Sequence, residues 1–123
     1  MENTTSPYFS VVPDLGIDVV RFSRPDVVDS VYIERLGIDL LRYVSALNHP
    51  NIVLDMENVR QLSSAALGVL VALNNTVNMR EGRLCIASLD PKLREVFKLT
   101  KLSKVFAICD DLPSAKRHVA GRR

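Results

Sequence analysis

The sequence lacks most features that would assign it to a specialised class of protein. Its 123 residues include two cysteines, two histidines and no tryptophan, so neither a disulfide-rich scaffold nor a Cys/His metal site is predicted. No apolar run approaches the ~20 residues that span a bilayer, and Met1 to Pro7 is polar where a signal peptide would be apolar. We therefore predict a cytoplasmic protein with no membrane insertion, in which Cys85 and Cys109 are reduced and buried.

An excess of one charge is also missing. The chain has 16 basic and 14 acidic residues and a net charge of +2. This balance does not predict the basic surface that nucleic-acid binding requires. The basic tail from Lys116 to Arg123 is interpreted as a solvated helix end. Hydrophobic residues make up 47% and charged residues 24% of the chain. These values predict a single domain over residues 1–123, with an ordered core at about 9–120.

Motifs for catalysis and for cofactor binding are absent as well. The chain has no GxGxxG or GxxxxGK[ST] loop for nucleotide phosphates and no G-x-S-x-G elbow around Ser64. The carboxylates that could serve as acids or bases all fall at strand ends or helix caps, namely Asp29, Asp55, Asp90 and Asp110. We predict that the protein is not an enzyme and needs no metal or cofactor.

Strand and helix patterns alternate along the chain and predict an α/β fold. The predicted elements are strands at Phe9 to Val12 and Ile17 to Phe22, a helix from about Val31 to Ala46 capped by Asp29 or Ser30, a strand at Ile52 to Leu54, a helix from Ser64 to about Met79, a strand at Leu84 to Ser88, a helix started by Asp90 and Pro91, a strand at Val105 to Cys109, and a helix at Pro113 to Ala120. This order predicts a mainly parallel sheet of four or five strands, an antiparallel N-terminal edge strand and about four helices.

Side-chain patterns extend this prediction to the core and to the helix ends. Gly82 fits a left-handed C-terminal cap of the helix from Ser64. We expect the core to include Leu67, Leu70, Val71, Leu73, Leu99, Leu102 and Val105. We expect the solvated face of the same helix to comprise Asn74, Asn75, Asn78 and Arg80.

The segment from Asp55 to Leu73 is the most informative part of the sequence. A buried strand ends on Asp55, and after one loop Ser63 and Ser64 open an apolar helix. Ser63 is the predicted N-cap, with Ser64 in the first turn. A helix N-terminus beyond the carboxyl end of a strand favours phosphates and other anions. If the fold is as predicted, Asp29 and Asp55 lie on the same rim as Ser64.

These residues resemble the signature of STAS domains, the fold of bacterial anti-sigma factor antagonists. The family form is roughly D-x-x-x-V-x-x-[hydrophobic]-D-S-[ST]-G-[hydrophobic]-G, and the chain has matching residues from Asp55 to Val69. Val28-Asp29 resembles the family's Leu-Asp before the first helix, and Leu99-Thr100-Lys101-Leu102 resembles its Leu-Thr-Gly-Leu segment. The resemblance covers Phe9 to about Ala120 and implies a STAS-like fold.

The resemblance also implies a function. The serine matching Ser64 would be phosphorylated by a partner serine kinase of histidine-kinase-like fold, which doubles as the anti-sigma factor; Ser63 is the alternative acceptor. A phosphate would lower partner affinity and leave the fold intact, a cognate phosphatase could reverse it, and ATP would belong to the kinase. The implied partner-binding residues are Asp29, Asp55, Ser63, Ser64, Ala65, Ala66, Leu99 and Thr100.

Some positions depart from the family pattern. Ser63 replaces an aspartate, Ala66 replaces a glycine, and Lys101 replaces another glycine. We expect Ala66 to stiffen the first helical turn and to add a methyl group to the exposed surface. These changes leave two alternatives open: a non-phosphorylated scaffold or accessory subunit of a signalling or transporter complex, and a sensor that binds a nucleotide or lipid at the same rim.

Overall fold

The structure, a computed structural model, describes residues 6–120. Along the chain its elements are β1 (Phe9–Asp14), β2 (Ile17–Phe22), β3 (Asp26–Val27), α1 (Ser30–Ser45), β4 (Asn51–Asp55), β5 (Gln61–Leu62), α2 (Ser64–Met79), β6 (Arg83–Ala87), α3 (Pro91–Leu99), a 3-10 helix (Leu102–Lys104), β7 (Ala107–Cys109) and α4 (Leu112–Ala120). Arg122 and Arg123, the end of the predicted basic tail, lie outside the described residues.

Five strands form the main sheet in the order β1-β2-β4-β6-β7. β1 pairs antiparallel with β2, whereas β2, β4, β6 and β7 are parallel neighbours. The predicted mainly parallel sheet, its antiparallel edge strand and its four helices are confirmed. The parallel order follows from the helices that cross over between successive strands.

Side chains that alternate along the strands divide the core into two clusters. In β4, Ile52 and Leu54 belong to a large cluster with residues of α1, α2 and α3. Val53, between them, belongs to a smaller cluster with Ala115 and Val119 of α4. Because successive strand residues point to opposite faces, the sheet is covered by helices on both sides, and the interiors of its central strands β4 and β6 are apolar.

A second, two-stranded sheet was not predicted. β3 and β5 are two residues long and pair in parallel, with Asp26 opposite Gln61 and Val27 opposite Leu62. The Ser63 amide extends this pairing by donating to the Val27 carbonyl oxygen at 3.1 Å. Two residues are too few to show the alternation by which strands are recognised in sequence.

The prediction that Gly82 forms a left-handed cap is wrong. Glu81 takes the positive φ, at 58°, and the Gly82 amide donates to the Val77 carbonyl oxygen. Glycine is required at position 82 for a different reason, because a Cβ there would clash with the backbone oxygen of Pro50.

Several burial predictions also need correction. Asn74 is buried, and Arg80 is half-buried with its Nε donating to the Leu47 carbonyl oxygen at 2.6 Å. Leu99 and Val105, predicted in the core, are 72% and 49% exposed. The last strand begins only at Ala107, because the chain forms the 3-10 helix just before it. The core positions Leu70 and Leu73 are confirmed, Leu67, Val71 and Leu102 are half-buried, and Asn75 and Asn78 are exposed as predicted.

Candidate functional site

The small sheet brings the N-termini of α1 and α2 to one side of the molecule. β3 leads to α1 through Val28 and Asp29, and β5 leads to α2 through Ser63 alone. Since β3 and β5 are paired and parallel, the chain leaves both strands in the same direction. The candidate residues Asp29, Ser63 and Ser64 therefore follow neighbouring strand ends.

The two serines at the start of α2 have different environments. Ser63 is the N-cap, and its Oγ accepts a hydrogen bond from the Ala66 amide at 3.2 Å. The capping position predicted for Ser63 is confirmed. Ser64 is the first helical residue and is exposed. Its hydroxyl makes no hydrogen bond with another residue in 6–120, so it is the accessible hydroxyl of the pair.

Asp29 caps α1, as one of the two predicted cap residues. Its Oδ1 accepts from the Val31 amide at 3.0 Å, and its Oδ2 accepts from Arg24 at 3.3 Å. Arg24 also lies over the Tyr32 ring, 4.6 Å from the ring centroid. This contact holds a cation next to the capping carboxylate. Asp29 remains exposed and is available to a partner.

Asp55 is the last residue of β4, where the loop toward α2 begins. Only 4% of it is exposed; its Oδ2 accepts from Arg21 Nε at 2.8 Å and its Oδ1 accepts from the Glu57 amide at 3.1 Å. A buried carboxylate bonded in this way fixes the turn out of β4. Asp55 therefore shapes the loop that leads to Ser63 and does not present its carboxylate on the rim.

The expectation that Ala66 adds a methyl group to the exposed surface is wrong. Ala66 is 2% exposed and belongs to the large core cluster. Ala65, by contrast, is exposed beside Ser64. Of the residues inferred at the start of α2, only Ser63, Ser64 and Ala65 can reach a partner with their side chains.

Leu99 and Thr100 lie on a different element, at the end of α3. Thr100 Oγ1 donates to the Val96 carbonyl oxygen at 2.8 Å, and the Leu99 side chain is exposed. Within residues 6–120 no hydrogen bond or ion pair joins either residue to α2. Lys101, which stands where the family has glycine, adopts a positive φ of 65°, a conformation that costs a non-glycine residue roughly 1 kcal/mol.

Sequence reasoning missed two exposed apolar residues beside Asp29. Val28 is 47% exposed and Val31 is 61% exposed, and they flank the α1 cap and its first residue, Ser30. Their signal in the sequence was a valine on each side of the cap, where a solvated helix start normally has polar residues. They supply the apolar part of a surface that includes Asp29.

Cys85 is buried and Cys109 is half-buried. Both are free, and their Sγ atoms lie 3.2 Å apart on the neighbouring strands β6 and β7. Burial, with a smaller contribution from the Cys109 thiol, raises the pKa of the Cys85 thiol to about 12, so Cys85 is protonated at neutral pH. Within residues 6–120 no group of three or more His, Cys, Asp or Glu side chains could hold a metal. None of the helices described there is long and apolar enough to cross a membrane.

Comparisons with known proteins agree with this architecture. BtrV of Bordetella bronchiseptica, provisionally named an anti-sigma factor antagonist, is 28% identical over 89 residues, which are 72% of this chain and 76% of BtrV. An anti-sigma factor antagonist (STAS) domain protein from Planctomyces limnophilus superposes with a TM-score of 0.81 at 18% identity, covering 92% of this chain and 98% of its own. The unphosphorylated form of the anti-sigma factor antagonist SpoIIAA superposes with a TM-score of 0.68 at 17% identity, covering 93% and 99%.

The family itself is shown by a match to a family model. The STAS domain model matches residues 10–115, which extend from β1 into α4 and include both helix starts described above. The resemblance drawn from the Asp55 segment is thereby confirmed. The chain belongs to the STAS domain family.

Proposed function

We propose that the protein is an anti-sigma factor antagonist of a bacterial partner-switching pathway, controlled by phosphorylation of Ser64. The unphosphorylated chain binds an anti-sigma factor, and the phosphate releases it. The observation that carries this proposal is the exposed hydroxyl of Ser64, which has no hydrogen bond within residues 6–120 while its neighbour Ser63 is engaged as the helix cap.

The geometry favours Ser64 over Ser63 as the phosphate acceptor. Ser63 is half-buried, and its backbone amide and its Oγ are both held, by Val27 and by Ala66. Moving its Oγ into a kinase site would break the α2 cap, which is worth about 1 kcal/mol. Phosphorylation of Ser64 would break no side-chain hydrogen bond within residues 6–120.

The start of α2 can hold a phosphate without loss of the fold. The first turn of α2 carries no acidic residue, and the free amides and dipole of a helix N-terminus favour an anion. A phosphoserine adds roughly −1.5 to −2 charges. Placed beside the exposed Ala65, this charge would be strongly solvated and would oppose burial in an interface. Phosphorylation therefore acts on partner affinity.

The partner that fits this proposal is a serine kinase of histidine-kinase-like fold that is also the anti-sigma factor. Such a partner brings its own ATP, so this chain would supply only the acceptor hydroxyl and a docking surface. Asp29, Ala65, Leu99 and Thr100 are the exposed residues that we assign to this contact. A cognate phosphatase would restore the binding form, and the system would operate in the cytoplasm.

The proposal is tested by incubating the protein with the candidate kinase, ATP and magnesium, followed by mass spectrometry of the intact chain and its peptides. We expect one phosphate in the native chain and in Ser63→Ala, and none in Ser64→Ala. Ser30→Ala is the matched control, because Ser30 is the exposed first residue of α1. A phosphate that persists in Ser64→Ala would contradict the assignment.

A scaffold role is the second candidate, and the neutral Ser63 in place of the family's aspartate favours it. A scaffold would bind its partner tightly and equally well before and after incubation with ATP. Stable binding in the absence of any phosphorylation would therefore replace the switch with a structural role for the same surface.

A further inference from the structure

A cleft separate from the Ser64 site lies between α3 and the last strand of the sheet. It has a volume of about 530 Å³ and is lined by Pro91, Arg94, Glu95, Lys98, Ser103 and Ile108, which together we call the α3 cleft. This volume lies within the usual range for ligand sites. Ile108 comes from β7, the edge strand of the main sheet, so the cleft follows an open edge of the domain.

The charge around the α3 cleft differs from that of the rest of the chain. Residues 91–105 include five basic side chains and one acidic side chain, whereas the rest of the chain has eleven basic and thirteen acidic ones. Arg94 is oriented by an ion pair with Asp110 at 3.0 Å. Within residues 6–120 the four lysines of this segment have no ion-pair partner, namely Lys92, Lys98, Lys101 and Lys104. A local excess of positive charge attracts acidic partners and raises their association rate.

Apolar groups accompany these cations. Pro91 and Ile108 line the cleft, and Leu99, which directly follows Lys98, is 72% exposed. Val105, two residues beyond Ser103, is 49% exposed. Protein interfaces combine exposed apolar anchors with a charged rim in this way.

We propose that the α3 cleft is a docking site for an acidic segment of a partner protein, one whose carboxylates meet Arg94 and Lys98 and whose apolar side chains pack on Pro91 and Ile108. The inference does not depend on phosphorylation of Ser64. The α3 cleft would be a second contact surface, which binds through its charge. It would remain available when a phosphate on Ser64 blocks binding at the start of α2.

The composition of the cleft favours a protein segment over a nucleic acid. Nucleic-acid sites pair a basic stripe with polar or stacking aromatic side chains, but here the lining includes Glu95 and aliphatic residues and no aromatic ring. An acidic peptide with leucines matches both the cations and the apolar floor.

The test uses a short synthetic peptide of aspartate, glutamate and two leucines, with a fluorescent label, titrated into the full chain. Anisotropy gives the affinity, and amide chemical shifts locate the contact. We expect the shifts to concentrate at the residues of the α3 cleft, and Lys98→Glu to weaken binding about tenfold by replacing attraction with repulsion. Arg42→Glu is the matched control, because Arg42 is exposed on α1 and gives the same change in net charge.

Further variants and probes keep the test decisive. If Lys98→Glu does not fold, Lys92→Glu replaces it, because an acidic residue is favourable in the first turn of α3. No shifts at the cleft, or an equal loss of affinity in Arg42→Glu, would overturn the proposal. It would also be overturned if free glutamate bound as tightly as the peptide, or if a short DNA duplex bound at the same residues more tightly.

Discussion

α1 and α2 begin almost identically, but the residues that cap them differ in charge. Both helices are 16 residues long and follow the paired strands β3 and β5. In α1 the cap Asp29 is followed by the exposed Ser30, and in α2 the cap Ser63 is followed by the exposed Ser64. The chain thus carries two serines in equivalent positions on adjacent helices.

The difference between the two starts is the charge of the cap. Asp29 is a carboxylate, bonded to its own helix and to Arg24, so a phosphate on Ser30 would lie next to a like charge. Ser63 caps α2 with a neutral hydroxyl, and the first turn of α2 has no acidic residue, so a phosphate on Ser64 would meet the favourable end of the helix dipole. Within this chain, the neutral cap makes the start of α2 a more favourable host for a phosphate than the start of α1.

The largest expected effect is on partner binding, when a negative charge is placed at the start of α2 or at the start of α1. Under the proposed function, Ser64→Asp should weaken binding of the anti-sigma kinase about 100-fold, because a carboxylate at the centre of an interface loses its hydration without a partner. Ser30→Asp makes the same chemical change on α1 and should weaken binding less than about threefold. Isothermal titration calorimetry of both variants measures the ratio. Equal losses would show that the interface is centred between the helices and not on α2.

The helix starts could be predicted from sequence because their determinants are local. Asp29, Ser63 and Asp90 cap their helices through amides two or three residues ahead, and such short-range patterns are visible in the chain itself. The mainly parallel sheet with its antiparallel N-terminal edge strand could be predicted for a similar reason, since alternating strands and helices imply right-handed crossovers. β3 and β5, which bring the two starts together, carried no such pattern.

The second prediction compares the caps themselves. Removing either cap, by Asp29→Ala or Ser63→Ala, should lower the free energy of unfolding by about 1 kcal/mol at low salt. High salt should reduce the cost of Asp29→Ala, because part of it is the interaction of a charge with the dipole and with Arg24. The cost of Ser63→Ala should not change with salt. Urea unfolding at two salt concentrations measures both, and a salt-dependent Ser63→Ala would show that the caps are electrostatically equivalent.

Burial along α2 was harder to predict, because residue type concealed the pattern. Asn74 lies four residues after Leu70 and three before Val77, which places it in the buried stripe, although its polar side chain predicts a solvated position. Ala66 lies four residues before Leu70 in the same stripe. In both cases the helical spacing predicts burial correctly. The polarity of Asn74 and the family's glycine at position 66 both predict exposure, which is wrong.

The third prediction follows from this buried amide, which has no counterpart in α1. The only polar group among the buried side chains of α1 is the Tyr32 hydroxyl, and it donates to the Tyr8 carbonyl oxygen at 2.8 Å. Asn74 is 7% exposed, and its side chain has no hydrogen-bond partner within residues 6–120. Asn74→Leu should therefore raise the free energy of unfolding by about 1 kcal/mol. Asn75→Leu, one residue away and exposed, should give no gain; an equal gain in both would point to helix propensity as the cause.

The smallest expected effect is a difference in stability between two glycine-to-alanine substitutions. Gly68 is exposed on α2, whereas Gly37 lies on α1 where it packs against α2. A Cβ at Gly68 would meet no atom within 4 Å, whereas a Cβ at Gly37 would lie 3.2 Å from Val69 Cγ2. Gly68→Ala should therefore stabilise the protein by about 0.5–1 kcal/mol, because alanine loses less backbone entropy in a helix. Gly37→Ala gains the same propensity but forces α1 and α2 apart, so it should be neutral or destabilising. Thermal unfolding of the two variants measures the contrast, and a full gain at position 37 would mean that Val69 can turn away at no cost.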